Sequence, residues 1–296
     1  MEVIKITPRG YCHGVVEAMR ILDKTIAQNP DEPITMLGHL VHNKHITDEF
    51  AQRGVHIIES TDRLSALESI PEGIVVFTAH GVSPMVKAVA QAKGLRTVDA
   101  TCSDVTVTHD LIRRLSRDGY TIIYIGRKGH PEPEGAIGEA PNSVILIENL
   151  AEVENLELDT PKLAVTTQTT LSVWDTQAIV DRLQAKFPQI EVYNEICRAT
   201  QDRQESAVKI ARTCDLVIVV GDSSSSNTQK LVQVVTELAQ CQAHLVDTAQ
   251  DLRPEWFKNI QRVGVTSGAS TPSHLTREVI ATLENYANTN FVAAAA

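Results

Sequence analysis

Strand-length apolar runs recur at nearly fixed distances after three of the cysteines, and this repeat limits the possible folds more than any other feature of the chain. Cys12, Cys102 and Cys197 are 90 and 95 residues apart. The next strand-like run starts 22, 19 and 19 residues later: ITMLGHLVHN (34–43), TIIYIGRKGHPEPEG (121–135) and LVIVVGDSSSSN (216–227). Another starts 62, 61 and 66 residues later: IVVFTAHG (74–81), LAVTTQTT (163–170) and VGVTSGAS (263–270). These runs are rich in β-branched residues, and helical periodicity at 103–118, 172–187, 201–212 and 228–240 separates many of them. Such alternation predicts an α/β fold with mainly parallel sheets.

The period is too long for a solenoid, whose units recur every 20 to 50 residues. The spacing therefore predicts three similar α/β lobes, 13–101, 102–196 and 197–296, related by a pseudo-threefold axis, with residues 1–12 an N-terminal strand leading to the first cysteine. Ligands of open parallel sheets bind outside the carboxyl ends of the strands. The six strand-end loops are thus expected to line one central crevice.

A net charge of −10 and the lack of any Lys/Arg-rich run argue against a general nucleic-acid binder. Apolar stretches such as LVIVV are strand-sized, and MEVIKITPRG has neither the length nor the flanks of a signal peptide, so the expectation is a soluble cytoplasmic protein. Five cysteines without a CxxC pair read as thiols of a reducing compartment.

Cys12 (RGYCHGV), Cys102 (DATCSDV) and Cys197 (NEICRAT) each stand between a strand-like segment and an amphipathic helix. A helix N-terminus favours a thiolate, and three soft thiolates select iron–sulfur or zinc over hard cations. A structural zinc or an ordinary cluster wants a fourth ligand, so three imply one open position. Cys214 and Cys241 break the spacing and are expected to be structural.

His42 with Asn43, His80 and His130 follow strand ends, a shared placement that suggests a ligand site. SSSSN (223–227) joins a strand to a helix and offers hydroxyls and backbone N–H groups to phosphate, and TSGAS (266–270) repeats that chemistry. The common nucleotide motifs are absent, which favours a small phosphorylated or diphosphorylated metabolite. GHPEPEG (129–135) reads as a loop stiffened by two prolines, with Glu132 a candidate proton donor aided by the hydroxyls of TQTT (167–170).

With PRGYCHGV, VHN, AHGVS, DATC, GHPEPEG, TQTTLSV, EICRATQDRQ, SSSSN and VGVTSGAS in this order, the chain resembles the 4-hydroxy-3-methylbut-2-enyl diphosphate reductase family from about residue 8 to 272. The resemblance implies one 4Fe-4S cluster held by Cys12, Cys102 and Cys197, whose open iron takes the substrate hydroxyl. It implies diphosphate contacts from His42, His80, Ser225, Ser226, Asn227 and Ser270, with His130 nearby, and a proton relay through Glu132 and Thr169 to the departing hydroxyl. The implied reaction is the last step of the non-mevalonate isoprenoid pathway. Two electrons enter, water leaves, and protonation of the allylic anion gives isopentenyl or dimethylallyl diphosphate. An electron donor such as flavodoxin or ferredoxin with its reductase is implied as partner.

Tyr11 and His13 replace the Phe and Ala more usual beside the first cysteine, so His13 is a candidate for altering cluster solvation or potential. The alanine-rich end, 292–296, carries no motif. Competing readings are an iron–sulfur hydro-lyase using the open iron as a Lewis acid, a non-enzymatic iron–sulfur sensor of a phosphorylated metabolite, and zinc in the three-cysteine site.

Overall fold

The structure, a computed structural model, describes residues 1–60 and 62–294, so the last two residues of the alanine-rich end lie outside it. The chain starts with β1 (Glu2–Lys5), α1 (His13–Gln28), β2 (Ile34–Leu37), α2 (Lys44–Gln52), β3 (Val55–Ile58), α3 (Arg63–Glu68), β4 (Ile74–Phe77), α4 (Pro84–Ala92) and β5 (Arg96–Asp99). It continues through α5 (Ser103–Arg117), β6 (Thr121–Ile125), α6 (Pro131–Ile137), β7 (Val144–Ile147), α7 (Leu150–Glu154), β8 (Leu163–Thr167), α8 (Val173–Lys186) and β9 (Glu191–Val192). The last part comprises α9 (Arg198–Ala211), β10 (Leu216–Val220), α10 (Ser226–Leu238), β11 (Gln242–Val246), two short 3-10 turns, β12 (Arg262–Ser267) and α11 (Ser273–Ala294).

The fold is α/β, with three four-stranded sheets ordered β3-β2-β4-β5, β7-β6-β8-β9 and β1-β12-β10-β11. Every strand pair recorded in them is parallel. Reversed, the third sheet reads β11-β10-β12-β1, the same order as the other two, with β1 in the fourth place. The N-terminal strand is therefore an edge of the last sheet, pairing Glu2 with Arg262 through Lys5 with Val265.

Two strands per lobe stand out in the sequence, but each sheet has four. The visible ones are the central pairs, β2 with β4, β6 with β8 and β10 with β12, which are buried almost throughout. A strand covered on both faces reads as a continuous apolar run. The edge strands RTVD and EV are mostly exposed and carry no such signal.

The chain divides into two compact units, one of Gly14–Val41 and Ile46–Cys197, the other of Met1–His13, His42–His45 and Arg198–Ala296. In the first unit, successive residues of β6 point to opposite faces. Ile123 and Ile125 pack with Ile179, Val180 and Leu183 of α8, whereas Ile122 and Tyr124 pack with Ile112 and Leu115 of α5 and Ala136 of α6. In the second unit, Ile218 and Val220 of β10 face Val279 and Leu283 of α11, and Val217 and Val219 face Ala207 of α9 and Leu231 of α10. Each fully buried Val, Ile or Leu side chain among them contributes roughly 1.5–3 kcal/mol.

The structure corrects one local expectation. GHPEPEG is not a loop: His130 caps α6, its Nδ1 accepting the Glu132 N–H at 3.1 Å, and Pro131 takes the first helical position. Proline there loses nothing, because that N–H has no intrahelical partner and φ is already helical. Glu132 and Glu134 thus occupy the first turn of a helix.

Candidate active site

The carboxyl ends of the three sheets repeat one backbone arrangement. After the first central strand comes Gly38, Gly126 or Gly221, whose N–H is accepted by the end of the neighbouring edge strand at Ile58, Ile147 or Val246. Four residues further on stand His42, His130 and Ser225. After the second central strand, the carbonyls of Ala79, Thr169 and Ala269 accept the N–H groups of Cys102, Cys197 and Cys12, each at 3.0 Å. Each cysteine immediately precedes a helix, α5, α9 or α1, and all three are partly buried thiols.

In the unit of Gly14–Val41 and Ile46–Cys197, two histidines from different sheets meet. The rings of His80 and His130 lie edge to face with centroids 5.5 Å apart. Because His130 Nδ1 accepts the Glu132 N–H, its ring proton resides on Nε2 when the imidazole is neutral. His80 is held within its own turn, with Nδ1 3.3 Å from Thr78 Oγ1.

Glu132 is 2 % exposed. Its Oε1 accepts the Thr169 N–H at 2.7 Å, and the Thr169 hydroxyl also bonds the carboxylate. Burial pushes the Glu132 carboxyl up to about 7, against the downward pull of the Thr169 bonds, with a further small push from Asp104. A carboxyl that changes protonation near neutrality can deliver a proton there. Glu134, one residue past Pro133, is half-exposed, and burial raises it more modestly.

In the other unit, the Cys12 loop is pinned from three sides. Gly10 donates to Ser267 Oγ at 2.8 Å, Arg203 Nη2 donates to the Gly10 carbonyl at 2.7 Å, and Cys12 donates to Ala269. Asn227 bridges two elements: its Nδ2 donates to Thr200 Oγ1 and its Oδ1 accepts the Ala269 N–H, both at 3.1 Å. Ser225 caps α10, Ser226 and Asn227 form its buried first turn, and Ser270 Oγ donates to the His42 carbonyl at 3.0 Å. Asp222 accepts the Lys44 N–H at 2.8 Å, while Asp247 pairs with Lys44 Nζ at 2.7 Å and His45 Nε2 at 3.0 Å. His42–His45 is thereby fastened to the loops of the third sheet. His13, the first residue of α1, is exposed.

Cys214 and Cys241 stand apart from this end. They precede β10 and β11, at the amino edge of the third sheet, where Cys241 Sγ donates to the Cys214 carbonyl at 3.4 Å. Burial pushes the Cys241 thiol up to about 11. A strand of five residues is roughly 16 Å long, so neither thiol can join Cys12 at the carboxyl end.

Sequence reasoning missed four buried supports: Arg63, Arg203, and the pair of His109 and Glu139, whose Nδ1 and Oε1 are 2.7 Å apart. None lies in a strand-end motif. The only signal for Arg203 is its place within EICRATQDRQ, and for the other three there is none.

A family profile described as LytB protein matches residues 3–284. The chain belongs to the LytB family. Among LytB relatives, the 4-hydroxy-3-methylbut-2-enyl diphosphate reductase of Symbiobacterium thermophilum is 56% identical over 289 residues, 97% of this chain and 98% of that one. The enzyme of the same name from Halalkalibacterium halodurans is 53% identical over 97% of this chain and 91% of its own. The solved E-1-hydroxy-2-methyl-but-2-enyl-4-diphosphate reductase of Plasmodium falciparum superposes with a TM-score of 0.88 at 36% identity, over 94% of this chain and 86% of that one. A second solved structure, named as the terminal enzyme of the non-mevalonate pathway, gives 0.69 at 29% identity, over 96% of this chain and all of its own. Among the described residues no helix is long and apolar enough to cross a membrane.

Proposed function

We propose that this LytB chain reductively removes the hydroxyl of (E)-4-hydroxy-3-methylbut-2-enyl diphosphate, the last step of the non-mevalonate isoprenoid pathway. The substrate class rests on the likeness to reductases over nearly their whole length. The observation in the structure that carries the chemistry is Glu132, a fully buried carboxyl near neutrality, bonded to Thr169 and following the His130 cap.

Cys12, Cys102 and Cys197 are the residues that would hold an iron–sulfur cluster, read as 4Fe-4S with one open iron. The donor set fits, since three thiols share one backbone tether and one helix-start position, while Cys214 and Cys241 occupy the amino edge of their sheet. When bound, the cluster supplies electrons one at a time and an open iron that polarises a hydroxyl.

The protein's own groups do the rest. Neutral His130 donates from Nε2, and His80, His42, Ser225, Ser226, Asn227 and Ser270 add ring N–H, hydroxyl and amide donors for the diphosphate. Most of these donors are neutral, so the helix N-terminus at Ser225 supplies part of the compensating positive potential. Glu132, protonated below about pH 7, gives its proton to the hydroxyl, and Thr169 keeps the carboxyl aimed. The balance is two electrons and two protons in, one C–O bond broken, one C–H bond formed and one water out. Isopentenyl and dimethylallyl diphosphate differ in which allylic carbon takes the second proton. A one-electron carrier such as flavodoxin or ferredoxin, with its reductase, would supply the electrons.

Anaerobic protein with a chemically reduced one-electron donor tests the reading. Donor oxidation that starts only on adding the hydroxylated diphosphate is the expected result. Binding without oxidation would favour the sensor, and dehydration without oxidation the hydro-lyase.

A further inference from the structure

The His80 and His130 rings meet although they come from different sheets, so something must fix the joint between the turn after β4 and the start of α6. Within that turn, the Gly81 N–H donates to the Thr78 carbonyl at 3.1 Å, and Gly81 has a φ of +76°. A side chain there would be strained and would also meet His109 Nε2 at 3.2 Å. On the other side of the joint, Gly135 of α6 faces the Gly81 carbonyl, which a Cβ would approach to 3.3 Å, and Gly138 abuts Ser83. The two backbones are in direct contact.

Arg63 spans this contact. It is the first residue of α3, and its side chain is 7% exposed. Nη1 donates to the Gly81 carbonyl at 3.2 Å, and Nε stands 4.0 Å from Glu134 Oε2, on the same first turn of α6 as Glu132. One guanidinium thus touches the residue after His80 and the helix that His130 caps. A buried cation with one carbonyl bond and one loose ion pair among the described residues adds little net stability. Its planar fork suits it to hold two segments in a fixed relation.

We propose that Arg63 is a positioning residue that sets the His80 to His130 spacing on which diphosphate recognition depends. The proposal rests on the functional reading above for its ligand but not for its geometry. Two variants, Arg63→Met and Arg63→Lys, are compared with wild type as full-length, anaerobically isolated protein. Inorganic pyrophosphate affinity is measured by calorimetry, and the His80 and His130 imidazole resonances by NMR without ligand. The expected result is affinity weakened about 10-fold in Arg63→Met, with Arg63→Lys between that and wild type, and both ring resonances displaced in Arg63→Met. A lowered melting temperature with unchanged affinity and unchanged ring resonances would overturn the proposal, since that is what a purely structural arginine gives. If wild type itself binds no pyrophosphate, the diphosphate reading fails. The ring resonances then decide Arg63 alone: displacement supports the joint, and superimposable spectra overturn it.

Discussion

The carboxylate of Glu132 accepts the backbone N–H of Thr169 at 2.7 Å, tying the first turn of α6 to the loop after β8. The carboxyl is buried, so its ionised form lacks water and its protonated form persists to about pH 7. The contact aims the carboxyl, while burial, against the downward pull of that same bond, keeps it protonated toward neutrality.

Replacing Glu132 with Gln keeps the shape and an acceptor for Thr169 but removes the acid. Turnover is expected to fall by roughly 100-fold or more, as for loss of a general acid, with pyrophosphate affinity unchanged. The two are measured by steady-state kinetics and calorimetry, and a near wild-type kcat would remove Glu132 from the relay.

The same substitution has a pH signature in stability. The folded-state value of Glu132 lies above the ordinary 4.5, so the fold favours the protonated carboxyl. Its contribution is fully present below about pH 4.5 and is lost as pH rises to about 7, a change on the order of 3 kcal/mol. Urea titrations from pH 5 to 8 should show wild type losing stability relative to Glu132→Gln, with the gap constant above about pH 7.5.

Thr169→Val keeps the N–H bond and deletes the hydroxyl that pulls the Glu132 carboxyl down. The basic limb of the kcat profile should therefore move to higher pH than in wild type, whatever happens to the maximum rate. A limb moved to lower pH would contradict the assignment of that limb to Glu132.

Asn227→Ala removes the acceptor of the Ala269 N–H and leaves Thr200 Oγ1 without its amide donor. The expected cost is about 1–3 kcal/mol in the urea midpoint, with weaker pyrophosphate binding. The Cys12 loop should loosen as well, because Ala269 also accepts the Cys12 N–H.

Cys102→Ser and Cys241→Ser form a matched pair. Cys102 sits at a helix start with the shared tether, whereas Cys241 is a raised thiol at the amino edge of its sheet. Iron and sulfide analysis after anaerobic purification should show loss of the intact cluster in the first and wild-type content in the second. Colourless wild-type protein holding one zinc would contradict the cluster.

The parts of the fold legible in the sequence were those buried on both sides. All six runs that recur after the cysteines are central strands, where two covered faces demand continuous apolar residues. Edge strands such as RTVD and EV lack that demand, and the place of β1 in the last sheet depends on a pairing of Glu2 with Arg262 that no local pattern encodes. α6 was hidden because two prolines two residues apart read as a stiff loop, although the first turn of a helix tolerates both. The cysteines and strand-end polar residues announced themselves by repetition. Arg63 did not, since its role comes from the approach of two distant backbones.

Reductive removal of the hydroxyl is tested by counting electrons against product in one anaerobic reaction, with donor oxidation followed optically and the diphosphates separated afterwards. Two electrons should be consumed per isoprenoid diphosphate formed, with isopentenyl and dimethylallyl diphosphate both present. Conversion of the substrate with no donor oxidised, or donor oxidation with the hydroxyl retained, would contradict it.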